Sequence, residues 1–377
     1  MKRSNFRFLV VGTNFISDNF AKAVAAVNTA AICGNGEVTA RSSAPSFRSD
    51  LAPADITETA FRPTLNNNAV AHPAQITAVL SRKDETGRAF CEKHSLDAAV
   101  VNTLDEALAL YQNDVFDAAY IASPNCCHEE QSVFFLSHGI DVLCEKPVAA
   151  CAESLGRMLD AAKEGGAHLM EAMRPAHDGA IAKIREAIAQ IAPVRSARLE
   201  FSQYSSRYDR HLAGEKVNTF DPQMGNAALL DLGVYAVCDA LLLFGTPDEK
   251  IASRSVFLGN GFEAAGTAVL TFGDALVSIS YSKVCEAAVP STILGEKGAV
   301  TIDRLSEPKD VRLRLGKTGD FTPVELCAPT NNMVFEIADF IAVCEGDVLT
   351  ELRSLDLSMK QTSILESIVL SNNIKLI

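Results

Sequence analysis

The chain has no excess of basic residues, no C-x-x-C pair and no apolar run of membrane-spanning length, and each absence removes a class of function. With 34 Lys and Arg against 47 Asp and Glu, the formal net charge is -13. That argues against a nucleic-acid or anionic-membrane surface, since either needs a basic stripe. No segment approaches the roughly 20 apolar residues that span a bilayer. Lys2 and Arg3 precede an apolar run, but it is too short for a signal peptide and leads directly into a strand. The ten cysteines are scattered among predicted strands and helices, which fits buried free thiols in a reducing cytoplasm. Cys126, Cys127 and His128 do not read as a zinc site, because adjacent cysteines cannot easily both ligate one ion and matching ligands are missing.

What is present is an ordinary globular composition, 48% apolar and 21% charged, in 377 residues, a length that makes two domains the default. Up to about residue 172, short apolar runs alternate with helical stretches. Strands are expected at Phe6–Val11, Gln75–Leu80, Ala99–Val101, Phe116–Ile121, Ile140–Cys144 and Ala167–Glu171. Helices fit between them at Ser17–Val27, Asp84–His94, Leu104–Tyr111, His128–His138 and Ala152–Gly165. Six strands with such crossovers predict a doubly wound parallel sheet of the Rossmann type. One polar stretch, about 34–74, carries Pro45, Pro53, Pro63 and Pro73 and delays the second strand. It reads as an insertion: a lid over the cofactor's adenosine half, an oligomer contact or a plain surface loop.

After Pro175 the pattern changes. A helix over Gly179–Gln190 leads into alternating segments at Val194–Gln203, Ile251–Leu258, Gly266–Phe272, Ala275–Tyr281, Ser291–Leu294, Ala299–Ile302 and Val311–Leu315. Turns such as Gly273-Asp274 between them predict a large, mostly antiparallel open sheet in an α+β domain. Helices at Asn331–Cys344 and Ser354–Ser371 close the chain, and no internal repeat is found. The expected division is 1–174 for a dinucleotide-binding domain and 175–377 for a substrate-binding and dimerisation domain, with the last helix packing back on the first.

The motifs sit at strand ends. Gly12-Thr13-Asn14-Phe15-Ile16-Ser17 joins the first strand to its helix, as a pyrophosphate site requires, but Asn14 and Ser17 stand at the second and third glycine positions of the dinucleotide pattern. A purely structural turn suits this segment equally, and Asn tolerates a left-handed backbone there. Ser81, Arg82 and Lys83 follow the second strand, where an arginine either grips a 2′-phosphate or is solvated. Ser123-Pro124-Asn125 ends the fourth strand, and Asn125 either bonds a ribose or nicotinamide or caps a helix. Glu145-Lys146-Pro147 ends the fifth, and Asp231-x-Gly233-x-Tyr235 comes from the second region. A lysine ammonium favours a tyrosine phenolate, so Lys146 and Tyr235 make a proton-exchanging pair, while Asp231 reads equally as a helix cap. Glycine at 233 would let a ligand approach the backbone. Glu171, Arg174 and His177 form a structural junction, and His177, Tyr204, Arg207, Tyr208 and His211 are candidates to line a polyol pocket.

Taken together these segments resemble the Gfo/Idh/MocA oxidoreductases over nearly the whole chain. The glycine turn, the Ser123-Pro124-Asn125-x-x-His128 segment, Glu145-Lys146-Pro147 and Asp231-x-Gly233-x-Tyr235 appear in family order. Tyrosine at 235, where many members carry histidine, is similar to the branch of glucose-fructose oxidoreductase and dihydrodiol dehydrogenase. The resemblance implies an NAD(P)-dependent dehydrogenase or reductase acting on a sugar, polyol or cyclic diol, NADP being favoured through Arg82, and a homodimer or higher oligomer. It implies catalytic roles for Lys146, Asp231 and Tyr235. Cofactor contacts are implied at Gly12, Thr13, Asn14, Phe15, Ile16, Ser81, Arg82, Ser123, Pro124, Asn125, His128, Glu145 and Lys146, with no metal. The competing expectation is a catalytically silent NAD(P)-binding regulatory or scaffold protein.

Overall fold

A computed structural model describes residues 5–28, 73–248 and 251–376. Most of the insertion expected at 34–74 lies outside these residues, and Ala74 at its end is already the buried first residue of a strand. Six strands, β1 (Phe6–Val11), β2 (Ala74–Leu80), β3 (Ala99–Val101), β4 (Ala118–Ile121), β5 (Asp141–Glu145) and β6 (Leu169–Ala172), form an all-parallel sheet in the order β3-β2-β1-β4-β5-β6. That is the Rossmann order, with the switch point between β1 and β4. Helices α1 (Phe15–Val27), α2 (Asp84–His94), α3 (Leu104–Gln112), α4 (His128–Ser137) and α5 (Ala152–Gly165) cover it. Sequence sets their ends: a Thr103–Glu106 capping box starts α3, and Gly166, at φ +66°, stops α5.

Short helices α6 (Arg174–His177) and α7 (Ala180–Ile191) lead to the second sheet, whose first strand is β7 (Val194–Ser202). Helices α8 (Tyr208–Leu212) and α9 (Val234–Phe244) intervene before β8 (Ala252–Phe257), β9 (Glu263–Phe272), β10 (Ala275–Ser282), β11 (Ser291–Gly295), β12 (Gly298–Ile302), β13 (Val311–Leu315) and β14 (Thr322–Pro323). The eight strands run β14-β13-β12-β11-β7-β10-β9-β8, and only the β7–β10 pair is parallel. Its inner face buries Ala197, Leu199, Leu270, Val277, Ile279, Ile293 and Val300 against α9, which is apolar and buried almost all round. The outer face shows Val269, Leu276 and Leu294 to water.

The last two helices, α10 (Met333–Cys344) and α11 (Val348–Ser371), return to the first sheet. Met333, Val334, Ile337 and Phe340 of α10 join the core of Phe8, Phe20 and Tyr120. Among the described residues, no helix is long and apolar enough to cross a membrane. Eight cysteines are free thiols, but Cys126 and Cys285 are exposed and Cys327 is disulfide-bonded, so the expectation of buried free thiols throughout does not hold.

Candidate active site

At the first strand-to-helix turn Gly12 has φ +93°, and a Cβ there would stand 2.9 Å from the Ala122 carbonyl oxygen. Only glycine lets β1 and β4 approach so closely at their carboxyl ends. Asn14 is extended (φ -112°), not left-handed as its type suggested. Its Oδ1 accepts from the amides of Ile16 and Ser17, while its Nδ2 donates to Ala122 O at 2.6 Å. Ser17, fully buried, donates to Gly12 O at 2.9 Å. The two residues that depart from the glycine pattern therefore lock the turn by hydrogen bonds. The amides of Thr13 and Phe15 keep no partner among the described residues, and Phe15 is 68% exposed. Orphan amides at a helix amino terminus suit an anion, so this turn fits a cofactor pyrophosphate.

The other strand ends divide into ligand-facing and structural residues. Arg82 is exposed and has no ion pair among the described residues. Ser81 is buried, its hydroxyl 2.6 Å from that of Thr86, so its side chain braces the turn. Ser123 donates to Gln131 at 2.6 Å, and Pro124 sets the turn that follows. Asn125 caps no helix; its Nδ2 reaches Gly225 O at 3.3 Å and so ties the two halves. His128 is a correction: it is buried, with Nδ1 2.9 Å from Pro147 O and Nε2 3.0 Å from Ser123 O. Burial lowers its pKa, and it joins two strand-end turns from behind without facing the cleft. The Glu145 side chain is corrected likewise, being buried with the Tyr120 hydroxyl as its donor, and burial raises its pKa.

Lys146 follows β5, before a cis Pro147, and points into the cleft between the halves. Its Nζ donates to Asp231 Oδ1 at 2.8 Å and to Asp231 O at 2.9 Å, leaving one of three donors over. Asp231 sits in a π-helical turn, Leu229–Gly233, that opens α9. Its second oxygen, Oδ2, accepts from Lys283, the residue after β10. The Asp231 side chain is 40% exposed while those of Lys146 and Lys283 are 11% and 10% exposed, so the carboxylate faces the cleft between two sunken ammonium groups. Burial, then Lys146 and Arg207, lower the Lys283 pKa to about 7.

Tyr235 stands on the same side of α9, 7% exposed, its ring edge-on to Phe201. Its hydroxyl has no hydrogen-bond partner among the described residues. Lys146 lies over the ring, 5.0 Å from its centroid. Burial raises the phenol pKa and outweighs the two nearby cations, so the downward pull of Lys146 is present as expected but does not prevail. Gly233 is needed for packing, because a Cβ there would meet the Tyr281 ring at 2.8 Å. His177 pairs with Asp339 at 2.8 Å, Arg174 with Asn332 at 2.6 Å, and Glu171 accepts from Val148, Ser358 and Gln361, so this junction is structural. Tyr208 and His211 pack on Phe220, Tyr204 donates to Asp209, and Arg207 donates to Thr219. No cluster of three or more His, Cys, Asp or Glu suited to a metal occurs among the described residues.

Lys283 was missed by sequence reasoning, although a signal exists. Val277, Ile279 and Tyr281 alternate inward along β10, and the same period of two places Lys283 on the core face. A lysine on an inward position calls for a partner, and Asp231 is that partner.

A parallel sheet of this order, an open amide cradle at its first turn and a lysine at the end of β5 define an oxidoreductase that uses a nicotinamide dinucleotide. Residues 6–173 match the family described as "Oxidoreductase family, NAD-binding Rossmann fold" and residues 181–301 the "GFO/IDH/MocA C-terminal domain". The chain belongs to the Gfo/Idh/MocA family of oxidoreductases. It is 34% identical over 293 residues to the scyllo-inositol 2-dehydrogenase (NADP(+)) IolU of Bacillus subtilis, covering 78% of this chain and 88% of that one. It is 37% identical over 237 residues to the uncharacterized oxidoreductase YgjR of Escherichia coli, covering 63% and 71%. Its fold matches that of KijD10, a 3-ketoreductase from Actinomadura kijaniata solved with NADP and TDP-benzene, at a TM-score of 0.73 and 18% identity, over 98% of both chains.

Proposed function

We propose that this NAD(P)-dependent oxidoreductase interconverts a secondary hydroxyl and a carbonyl on a sugar, polyol or cyclic diol. The observation that carries this reading is the convergence of Lys146, Asp231 and Tyr235 at the carboxyl end of β5. The 1–174 segment would hold the dinucleotide and 175–377 would present the substrate. When bound, the nicotinamide supplies the hydride acceptor or donor. The protein's part is to hold and polarise the reacting oxygen: the third Lys146 donor and the Tyr235 hydroxyl would direct hydrogen bonds at it, and exposed Asp231 accepts from the reacting hydroxyl itself. Tyr235, its pKa raised, acts as a hydroxyl donor and not as a phenolate base. Exposed Arg82, without an ion pair among the described residues, favours the 2′-phosphate of NADP, and an inositol dehydrogenase that uses NADP(+) among the relatives supports the cofactor and the substrate class. The outer face of the second sheet, with Val269, Leu276 and Leu294, would be covered by a second copy, giving a homodimer; a cytoplasmic setting rests on the eight free thiols and is opposed by the disulfide at Cys327.

The test is cofactor fluorescence on binding NADPH and NADH, followed by a screen of inositols, aldoses and cyclic diols for cofactor reduction, with Lys146→Met as control. Turnover should fall by about 10² to 10⁴ in that variant while cofactor binding persists. Full turnover by Lys146→Met would remove the assignment.

A further inference from the structure

Lys283 is not explained by the chemistry above. A buried lysine is costly unless paired, yet this one spends its pairing on a carboxylate that Lys146 already neutralises. The arrangement is built: the Lys283 amide donates to Ala264 O at 2.8 Å, and its carbonyl accepts from Ser205 at 3.0 Å, so β9 and the loop before α8 fix the residue on either side. Two ammonium groups thus grip opposite oxygens of one exposed carboxylate. We propose that Lys283 is a positioning residue of the hydride-transfer site, acting through Asp231 to accept and return the proton of the substrate hydroxyl. The inference rests on the hydroxyl oxidation proposed above.

The chemistry balances as follows. In oxidation the substrate C–H bond breaks with its electron pair passing as hydride to the nicotinamide, the O–H bond breaks, and the C=O bond forms. The proton goes to Asp231 Oδ2 and on to the neutral Lys283 amine, one proton per two-electron oxidation, and leaves to water past the exposed carboxylate. In reduction the same proton returns. Charged Lys283 occupies Oδ2, and neutral Lys283 frees it to accept from the substrate. Burial and the two facing cations, Lys146 and Arg207, place that change at about 7. The other titratable groups on packed elements are Asp231 on the π-helical turn, Glu263 on β9, Tyr281 on β10, and Cys285 and Glu286 just beyond it. Glu263 needs separating from Lys283, since burial pushes its carboxyl up to about 7 as well.

The experiment measures kcat for alcohol oxidation against pH in the wild type, Lys283→Arg, Lys283→Met and Glu263→Gln, with NADPH binding by fluorescence and lysine titration by NMR on protein carrying labelled lysine side chains. The wild-type rate should climb about tenfold per pH unit below about 7 and level off above it. Lys283→Arg keeps a charge on Asp231 but cannot release a proton at this pH, so it should fold and bind NADPH normally yet lose about 10² in kcat and the pH limb. Lys283→Met should show the same loss, and Glu263→Gln should keep the limb. Rescue of wild-type kcat and limb by Lys283→Arg would show that Lys283 only holds Asp231 in place, and would overturn the relay. Loss of the limb in Glu263→Gln would overturn it too. If NADPH binds but no polyol is oxidised, the functional reading falls, and Lys283 is judged by NMR alone. A lysine signal titrating near 7 that vanishes in Lys283→Arg supports the charge switch; titration of every lysine near 10 overturns it.

Discussion

Replacing Asp231 by Asn keeps the side chain's shape and one accepting oxygen but puts an NH₂ group where the second carboxylate oxygen stands, so one lysine loses its acceptor. Lys146 retains the main-chain oxygen of residue 231 at 2.9 Å, whereas Lys283 has no second acceptor among the described residues, so Lys283 bears the loss. A charge-assisted hydrogen bond is worth about 1.5–3 kcal/mol when sheltered. Here the carboxylate is 40% exposed, which discounts the loss to about 1–2 kcal/mol. Lys283 also limits the cost by giving up its proton, since its pKa is already near 7. Spread over the unfolding entropy of 377 residues, the loss lowers Tm by only about 1–3 °C. Turnover should nevertheless fall by about 10² to 10⁴, because the group that receives the hydroxyl proton is gone. Thermal unfolding and initial rates at saturating cofactor measure the two effects side by side. A variant that melts about 10 °C lower but keeps wild-type activity per folded molecule would make Asp231 a structural strut and refute the reasoning.

Two further substitutions probe the cofactor turn and the buried acid. Arg82→Ala should weaken NADPH by about tenfold or more and leave NADH nearly unchanged, as a lost charge-assisted contact to one phosphate predicts; equal losses in fluorescence titrations would remove the arginine from cofactor choice. Glu263 is held protonated by burial up to about 7 in the folded protein, so its contribution to stability is present below its ordinary value of 4.5 and fades as pH rises through about 7. Glu263→Gln should therefore flatten the pH profile of unfolding free energy between those values and exceed the wild type above them by on the order of 1–3 kcal/mol; parallel profiles from denaturant unfolding would show that the carboxyl ionises freely.

The first sheet was legible because parallel strands buried on both faces are written as plain apolar runs, and the predicted β1, β2 and β3 agree with the observed ones to within a residue. Helix α9 was harder to place. Val234–Phe244 is apolar on every side and so lacks the period that marks a surface helix. Around the site, motif order located Lys146, Asp231 and Tyr235, which do converge, but it does not say which way a side chain turns. His128 and Glu145 belong to the same motifs and are buried, where the single N–H of His128 has the Pro147 and Ser123 carbonyls within reach and Glu145 accepts from the Tyr120 hydroxyl. Lys283 stood outside every motif and was visible only as a charge on the wrong phase of an alternating strand. Asn14 was read as a weakened glycine, when its amide does the bonding that holds the turn.

The return of α10 to the first sheet has a consequence for how the protein is made. Phe340 packs on Phe6 and Phe8 of the first strand, and Asn331 donates to Asn19 O at 2.9 Å, so two ends of the chain more than three hundred positions apart complete one core. A chain emerging from the ribosome has its whole parallel sheet in hand long before that helix exists. Until α10 emerges, Phe8, Phe20 and Tyr120 lack the cover of Met333, Ile337 and Phe340. The nucleotide-binding half thus emerges with an open apolar side: a nonsense codon between residues 173 and 333 spares every cofactor-binding motif and still leaves a sticky, incomplete protein.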